Sequence, residues 1–232
     1  MWYTYRPIGT SYNVHQQVLP MMKQPFIVKP IPDYGKEDEF FDELLEQRVN
    51  VIVMLGKIVS DDANEPDRLN RYWAPSMKFS KDNGKYEVTT NSILNERTYT
   101  STFVTIRCHK STKMCHSFKV FHYHSWNGNG VPRNVQNFND FIGYTRFANV
   151  VVHGSSLPLR PIIVHSDGVT GRVNLHGVIE IGMDLLWFTH RGIDVRCLVD
   201  RNLDKSTSTH HIITEQFKFI QQALVSYGEI LA

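Results

Sequence analysis

The chain has 232 residues, of which 41% are hydrophobic and 21% are charged. This composition excludes a fibrous or disordered protein, and a chain of this length can bury a sizeable core, so we expect a single domain over residues 1–232. A formal net charge of +2 is too small for a typical nucleic-acid-binding protein, and the basic residues are scattered. We therefore expect no nucleic-acid partner, and any anion site must be local.

The cysteine count and the hydropathy pattern predict a cytoplasmic protein. Cys108, Cys115 and Cys197 are too few for a disulfide framework and lack the CxxC spacing of a zinc site. The first residues do not resemble a signal peptide, and no stretch approaches the roughly 18 apolar residues that a membrane span requires. We therefore expect a reducing compartment and no membrane association.

The first half of the chain predicts a helix, a buried strand and then an antiparallel meander. Residues 1–30 lack clear periodicity and are interpreted as extended or loop structure, with a short strand near Phe26–Val28. A helical stripe spans residues 36–48, and the apolar run at 49–55 is typical of a buried strand. The three β-rich runs of the meander are residues 85–89, 99–109 and 116–124.

The second half predicts helices around a second buried strand. A helix is expected to begin at Pro132, and residues 161–165 (PIIVH) form the strand. Further helices are predicted over residues 172–188, 193–203 and 214–228. The elements together predict an α/β fold, with a highly twisted mixed β-sheet flanked by helices.

The turn between the strand at 161–165 and the helix at 172–188 is the candidate phosphate site. A strand-to-helix turn aims unpaired backbone N–H groups at an anion, and an arginine supplies a planar fork that matches phosphate oxygens. The candidate phosphate-binding residues are Ser166, Asp167, Gly168, Val169, Thr170, Gly171 and Arg172.

Five fragments in the same order resemble the tyrosine-specific protein phosphatase family. EDEFFDELLEQRVNVIVML resembles a helix-strand segment, RLNRYWAP resembles KCxxYWP, and FHYHSWNGNGVP resembles the mobile acid loop HFxYxxWPDxGVP. PIIVHSDGVTGR resembles the active-site segment PxxVHCxxGxGR, and ITEQFKFIQQAL resembles the late QTxxQYxFIxxAL helix. The resemblance covers nearly the whole chain and implies the phosphatase fold.

The resemblance also implies that the catalytic residues are lost. The family's cysteine nucleophile is replaced by Ser166, whose hydroxyl is hardly ionised at neutral pH. In the degenerate acid loop, Trp126, Asn127 and Gly128 stand where the family has WPD, so the aspartic acid is replaced by a glycine. The glutamine that positions water corresponds to Ile212. We therefore expect an inactive homologue with no catalytic residues.

Further departures concern phosphate recognition. Val169 adds a branched side chain where the family has a glycine close to the phosphate. The resemblance places the family's phosphotyrosine-recognition segment before Tyr12, so the domain is interpreted as N-terminally short. Arg172 could therefore bind phosphate or could only hold the loop by bonding its carbonyls.

Two other chemistries have partial sequence signals, a serine hydrolase and a metal site. VHSDG at residues 164–168 is one residue short of the GxSxG nucleophile elbow, and a serine hydrolase would need Asp194 or Asp200 with His210 or His211. The missing first glycine counts against it. His122 and His124 alternate along one strand but lack a third metal ligand at a suitable spacing, so no metal and no cofactor are expected.

The sequence leaves two binding functions open. In one, the domain traps phosphotyrosine proteins without hydrolysing them. In the other, the pocket is idle, and the domain is a scaffold or competes with active phosphatases for signalling partners. A single Cys-to-Ser change made for substrate trapping would not explain the losses at Gly128 and Ile212. With its lost catalytic residues and short N-terminus, the chain most resembles the tyrosine phosphatase-like proteins of the bracoviruses carried by parasitoid wasps. This resemblance implies a viral modulator of signalling in host cytoplasm, although a nematode or vertebrate pseudophosphatase would look similar at the five fragments.

Overall fold

A computed structural model describes residues 4–8, 11–15, 25–56, 72–73, 85–109, 115–126, 130–153, 160–166, 170–202 and 214–231. Eight strands and five helices lie within these ranges. The strands are β1 (Thr4–Ile8), β2 (Ser11–His15), β3 (Phe26–Val28), β4 (Val51–Leu55), β5 (Tyr86–Asn95), β6 (Tyr99–Cys108), β7 (Cys115–Tyr123) and β8 (Ile162–Ser166). The helices are α1 (Glu37–Glu46), α2 (Val135–His153), α3 (Thr170–Thr189), α4 (Val195–Asn202) and α5 (Thr214–Leu231).

The described strands form one mixed sheet in the order β1-β2-β3-β8-β4-β7-β6-β5. The centre is parallel, because β3 pairs with β8, β8 with β4, and β4 with β7 in that sense. The outer strands are antiparallel on both sides. The predicted α/β fold with a mixed sheet is therefore confirmed.

Both faces of the central sheet are covered. Every residue of β4 is fully buried, with Val51, Val53 and Leu55 facing α2, α3 and α5, while Ile52 and Met54 face α1. A strand buried on two faces needs a continuous apolar run rather than an alternating pattern. This explains why VIVML could be read as a buried strand.

The predicted elements are present, with four main differences in extent. The first strand of the meander, predicted at residues 85–89, continues to Asn95 as β5. The structure resolves the extended N-terminal segment into the β1–β2 hairpin. Helix α2 begins three residues after Pro132, because Asn134 caps it by accepting a hydrogen bond from the Asn137 amide at 2.8 Å. Helix α3 begins at Thr170 rather than at Arg172. None of the helices in the described ranges is long and apolar enough to cross a membrane.

Candidate functional site

The site lies at the carboxyl edge of the parallel strands. Leu55, the last residue of β4, pairs with Tyr123 on one side and with Ser166 on the other. Ser166 ends β8, and α3 begins four residues later at Thr170. The candidate nucleophile position therefore lies between a strand end and a helix N-terminus, as the sequence predicted. Residues 167–169 of the candidate loop lie outside the described residues.

His165 is held by hydrogen bonds at both ring nitrogens. Its Nδ1 lies 2.8 Å from the carbonyl of Lys29, and its Nε2 lies 3.0 Å from the hydroxyl of Tyr72. Burial lowers the pKa of His165 to about 4, so the ring is neutral at physiological pH. In the neutral ring, Nδ1–H donates to the carbonyl and Nε2 accepts from the phenol. The imidazole is therefore a positioning group rather than an available base.

Arg172 connects the candidate phosphate site to the degenerate acid loop. Its side chain is nearly buried at 3% exposure, and its guanidinium carbon lies 5.7 Å from the ring centroid of Trp126. Trp126 is fully buried and donates from Nε1 to the carbonyl of Gly130 at 3.2 Å. This cation–π contact joins the two motifs in space. Asn127 and Gly128 lie outside the described residues.

Helix α5 contacts the candidate phosphate site through Gln216, which lies in the segment that resembles the family's late helix but was given no role from the sequence. A Cβ atom on Gly171 would lie 2.9 Å from the Gln216 Nε2, so a side chain at residue 171 would force that buried amide to move. The retained glycine in the GVTGR segment was the available signal for such a close approach. Ile212, at the predicted water-positioning position, lies outside the described residues.

The first residues of the acid loop are attached to the turn between β5 and β6. The amides of His124 and Ser125 both donate to the carbonyl of Thr98, at 3.1 and 3.3 Å. His122 bonds the Gly56 carbonyl through Nε2 at 2.6 Å, and its ring centroid lies 5.9 Å from that of His124. Across the described ranges, no group of three metal-ligating side chains is present.

Comparison with known proteins identifies the family. The sequence profile described as protein-tyrosine phosphatase matches residues 10–226. The chain belongs to the protein-tyrosine phosphatase family. It is 28% identical over 165 residues to tyrosine phosphatase-like protein J1 of Microplitis demolitor bracovirus (isolate Webb). That match covers 69% of this chain and 54% of the relative, so the chain spans about half the relative's length. The predicted likeness to bracovirus proteins of this family is confirmed.

The serine-hydrolase residues have other environments in this phosphatase-family fold. Asp194 caps α4, where its Oδ1 accepts a hydrogen bond from the Cys197 amide at 3.0 Å. Asp200 is exposed on the same helix. His210 and His211 lie outside the described residues. The described residues therefore do not assemble a Ser-His-Asp arrangement around Ser166.

The described part of the site places the N-terminus of α3 close in sequence to the end of β8. Thr170 opens a 20-residue helix whose N-terminus carries a partial positive charge, and Arg172 adds a full positive charge in the first turn. Ser166 precedes this helix and His165 fixes the strand end. Bond cleavage at this position would require an activated nucleophile and an acid.

Proposed function

We propose that this chain is a catalytically inactive tyrosine phosphatase homologue that binds phosphotyrosine proteins without hydrolysing them. The observation that carries the proposal is the environment of His165. Both of its nitrogens are engaged, by Lys29 and Tyr72, and its pKa is lowered to about 4. The ring adjacent to Ser166 therefore cannot take the serine proton, and the hydroxyl stays protonated.

The replacement of cysteine by Ser166 removes the nucleophile. A loop of backbone amides and an arginine can lower the pKa of a thiol below neutrality, because a thiol already ionises near pH 8.5. A serine hydroxyl starts far higher and needs an adjacent general base. Among the described residues, no side chain forms a hydrogen bond with the Ser166 hydroxyl.

The acid loop adds a second loss. A general acid typically contributes about 10²- to 10⁴-fold to a rate. Gly128 stands at the acid position and has no side chain that could protonate a leaving tyrosyl oxygen. Restoring the nucleophile alone should therefore restore only part of the activity.

Retention of Arg172 supports binding. Arg172 stands in the first turn of α3, where it contacts Trp126. An inactive chain needs neither residue for catalysis, so their presence favours a binding role. A phosphate at the helix N-terminus would gain charge-assisted hydrogen bonds from the guanidinium and from backbone amides. Such a complex would shield a phosphotyrosine from active phosphatases.

The proposed setting is the cytoplasm of an infected host cell. The relative described above is named as a tyrosine phosphatase-like protein of a bracovirus. We propose by analogy that this chain interferes with host phosphotyrosine signalling, by capturing phosphorylated proteins or by competing with active phosphatases for their partners. The identity of the partner follows from capture experiments rather than from the fold.

Calorimetric titration of phosphotyrosine peptides tests the binding function. The protein should bind the peptide and release no phosphate, and Arg172→Ala should lose binding. Arg107→Ala, which removes an exposed arginine on β6, is the matched control and should bind normally. Absence of binding by the unmodified protein would favour the idle-pocket scaffold. Phosphate release that disappears in Arg172→Ala would disprove inactivity.

Stepwise restoration tests the assignment of the two losses. Ser166→Cys should gain a reactive thiolate, measured by alkylation rate at pH 6, with little turnover of a phosphotyrosine substrate. The double variant Ser166→Cys/Gly128→Asp should turn over faster than Ser166→Cys by about 10²-fold or more if the acid position is assigned correctly. Equal rates for the two variants would contradict the assignment of Gly128.

A further inference from the structure

Strand β5 forms one end of the sheet, and no described strand pairs with its outer edge. In the described part of the chain, β6 is its only strand partner, and residues 91–95 are exposed. Ile93 is 46% exposed and Leu94 is 56% exposed. An edge of this kind presents unpaired N–H and C=O groups to another strand.

The outer half of β5 lacks most of the features that protect sheet edges. Residues 88–95 read VTTNSILN and contain no charged residue and no proline. The register shift at Asn91 is a bulge, which protects the strand locally, but residues 92–95 beyond it pair regularly with β6. Val, Thr, Ile and Leu side chains favour extended structure and make this segment suitable for pairing.

We propose that two copies of this chain associate by antiparallel pairing of their β5 strands, about a two-fold axis at Ile93. A two-fold axis perpendicular to a sheet brings one residue opposite its own copy, and it leaves each side chain on its original face. With the axis at Ile93, the two Ile93 side chains face each other. Ser92 of each copy then lies opposite Leu94 of the other.

The neighbouring residues fit this register. Ser92 pairs with Phe103 on β6, and Phe103 is 36% exposed. The small serine lets Leu94 of the second copy approach Phe103 across one strand, so two exposed apolar side chains become covered on each half of the interface. The sheet would continue from one copy into the other.

The charges also permit a second copy as the partner. In this register, Glu96 and Arg97 of one copy fall opposite Thr90 and Thr89 of the other, so no like charges face each other. A second copy supplies a complementary neutral strand. Because the contact is short, we expect a weak dimer with a dissociation constant in the micromolar range, on the order of 10 μM.

Sedimentation velocity over a concentration series tests the proposal. The protein should shift from monomer to dimer as its concentration rises. Leu94→Lys places a lysine on the edge strand and should weaken association by about tenfold or more. Val225→Lys changes a comparably exposed residue on α5, at 55% exposure, and should associate like the unmodified protein. A monomer at every concentration, or a dimer unaffected by Leu94→Lys, would refute the proposal.

Cysteine cross-linking tests the register. In a Cys115→Ser background, which removes an exposed native thiol, Ile93→Cys should form a disulfide-linked dimer on mild oxidation. Val225→Cys in the same background should stay monomeric on a denaturing gel. Circular dichroism of each variant establishes that it is folded. If the folded Ile93→Cys variant cross-links no faster than Val225→Cys, the two-fold axis is not at Ile93 and the proposed register is wrong.

Discussion

The guanidinium of Arg172 lies over the indole of Trp126, with 5.7 Å between the guanidinium carbon and the ring centroid. This contact joins the first turn of α3 to the start of the acid loop. The indole also donates to the Gly130 carbonyl, so it holds both ends of the acid loop near the arginine. The two motifs that the sequence placed 46 positions apart thus form one structural unit.

Trp126→Phe should destabilise the protein by about 1–3 kcal/mol, because it removes the hydrogen bond to Gly130 and part of a fully buried ring. Chemical denaturation measures the change in the free energy of unfolding. Trp187→Phe, at an exposed tryptophan on α3, should change it by less than about 0.5 kcal/mol. Equal changes in the free energy of unfolding for the two substitutions would mean that Trp126 does not stabilise the acid loop.

Tyr72→Phe should also destabilise the protein, since it leaves Nε2 of the buried His165 without its donor. Loss of one partner of a buried polar group costs about 1–3 kcal/mol. Tyr86→Phe removes a phenol that donates to the more exposed Asp42 carboxylate and should cost less. Thermal unfolding of both variants compares them, and a larger loss for Tyr86→Phe would contradict the role assigned to Tyr72.

Stability should fall as the pH drops below about 6.5, the ordinary pKa of histidine. Burial lowers the pKa of His165 to about 4 and that of His176 to about 3, with Arg146 also lowering the latter. As the pH falls below 6.5, the unfolded chain binds protons that the folded chain does not. The stability that the two neutral rings contribute is therefore complete above pH 6.5 and decreases progressively as the pH falls to 3–4. At pH 5, each ring should lower the free energy of unfolding by about 2 kcal/mol relative to its value above pH 6.5.

Urea denaturation at pH 7.5 and pH 5 measures this loss. His176→Phe should reduce the pH dependence, because it removes one buried titrating ring from between Phe26 and Phe138. Trp187→Phe, at an exposed residue of α3, is the control and should leave the pH dependence unchanged, because it removes no titratable group. A pH profile that is flat from 7.5 to 5 would contradict the neutral, buried state of both rings.

Arg146→Met should be strongly destabilising, because Arg146 pairs with the buried carboxylates of Glu180 and Asp184. Removing one partner from a buried ion pair costs about 3–5 kcal/mol. Lys36→Met removes the exposed pair with Asp33 and should cost less than about 1 kcal/mol. Chemical denaturation measures the free energy of unfolding of both variants. Similar losses for the two variants would show that the Arg146 cluster is effectively solvated.

Gly182→Ala should destabilise the packing of α3 against α4 and α5. Its new Cβ would lie 2.6 Å from Leu224 Cδ2 and 3.2 Å from Leu198 Cδ2. Overpacking of a core costs about 1–3 kcal/mol, which exceeds the gain of up to about 1 kcal/mol for alanine in a helix. Gly143→Ala on α2 meets nothing within 4 Å and should raise the melting temperature instead. A change in melting temperature of the same sign for both variants would contradict the close packing around Gly182.

Much of the fold could be predicted because its patterns are local. The buried run VIVML and the helical stripe before it indicated β4 and α1, and Ser166 was placed at a strand end before a helix. The β1–β2 hairpin was not predicted in detail, because residues 4–15 have no clear period and the hairpin adds to the sheet through non-local pairing. Such pairing depends on a partner strand that local sequence does not specify.

The sequence identified the residues of the site better than it identified the contacts between them. Motif order identified Ser166 and Arg172, but the bonds of His165 to Lys29 and Tyr72 join positions 136 and 93 residues apart. Gln216 belongs to a recognised motif, but its contact with Gly171 was not predicted, since that contact depends on how α5 packs. Sequence spacing along one helix or strand cannot supply distances between separate elements.

The Thr98 carbonyl, which accepts from both His124 and Ser125, gives the turn between β5 and β6 a second consequence. A spectroscopic label on the exposed side chain of Arg97 would sit one residue from the anchor of the acid loop, yet outside the phosphate site. A change in the position of His124 or Ser125 would reach the label through their two backbone hydrogen bonds to Thr98. The turn is therefore a natural reporter position for this edge of the site, and a label there can be followed without an enzymatic assay.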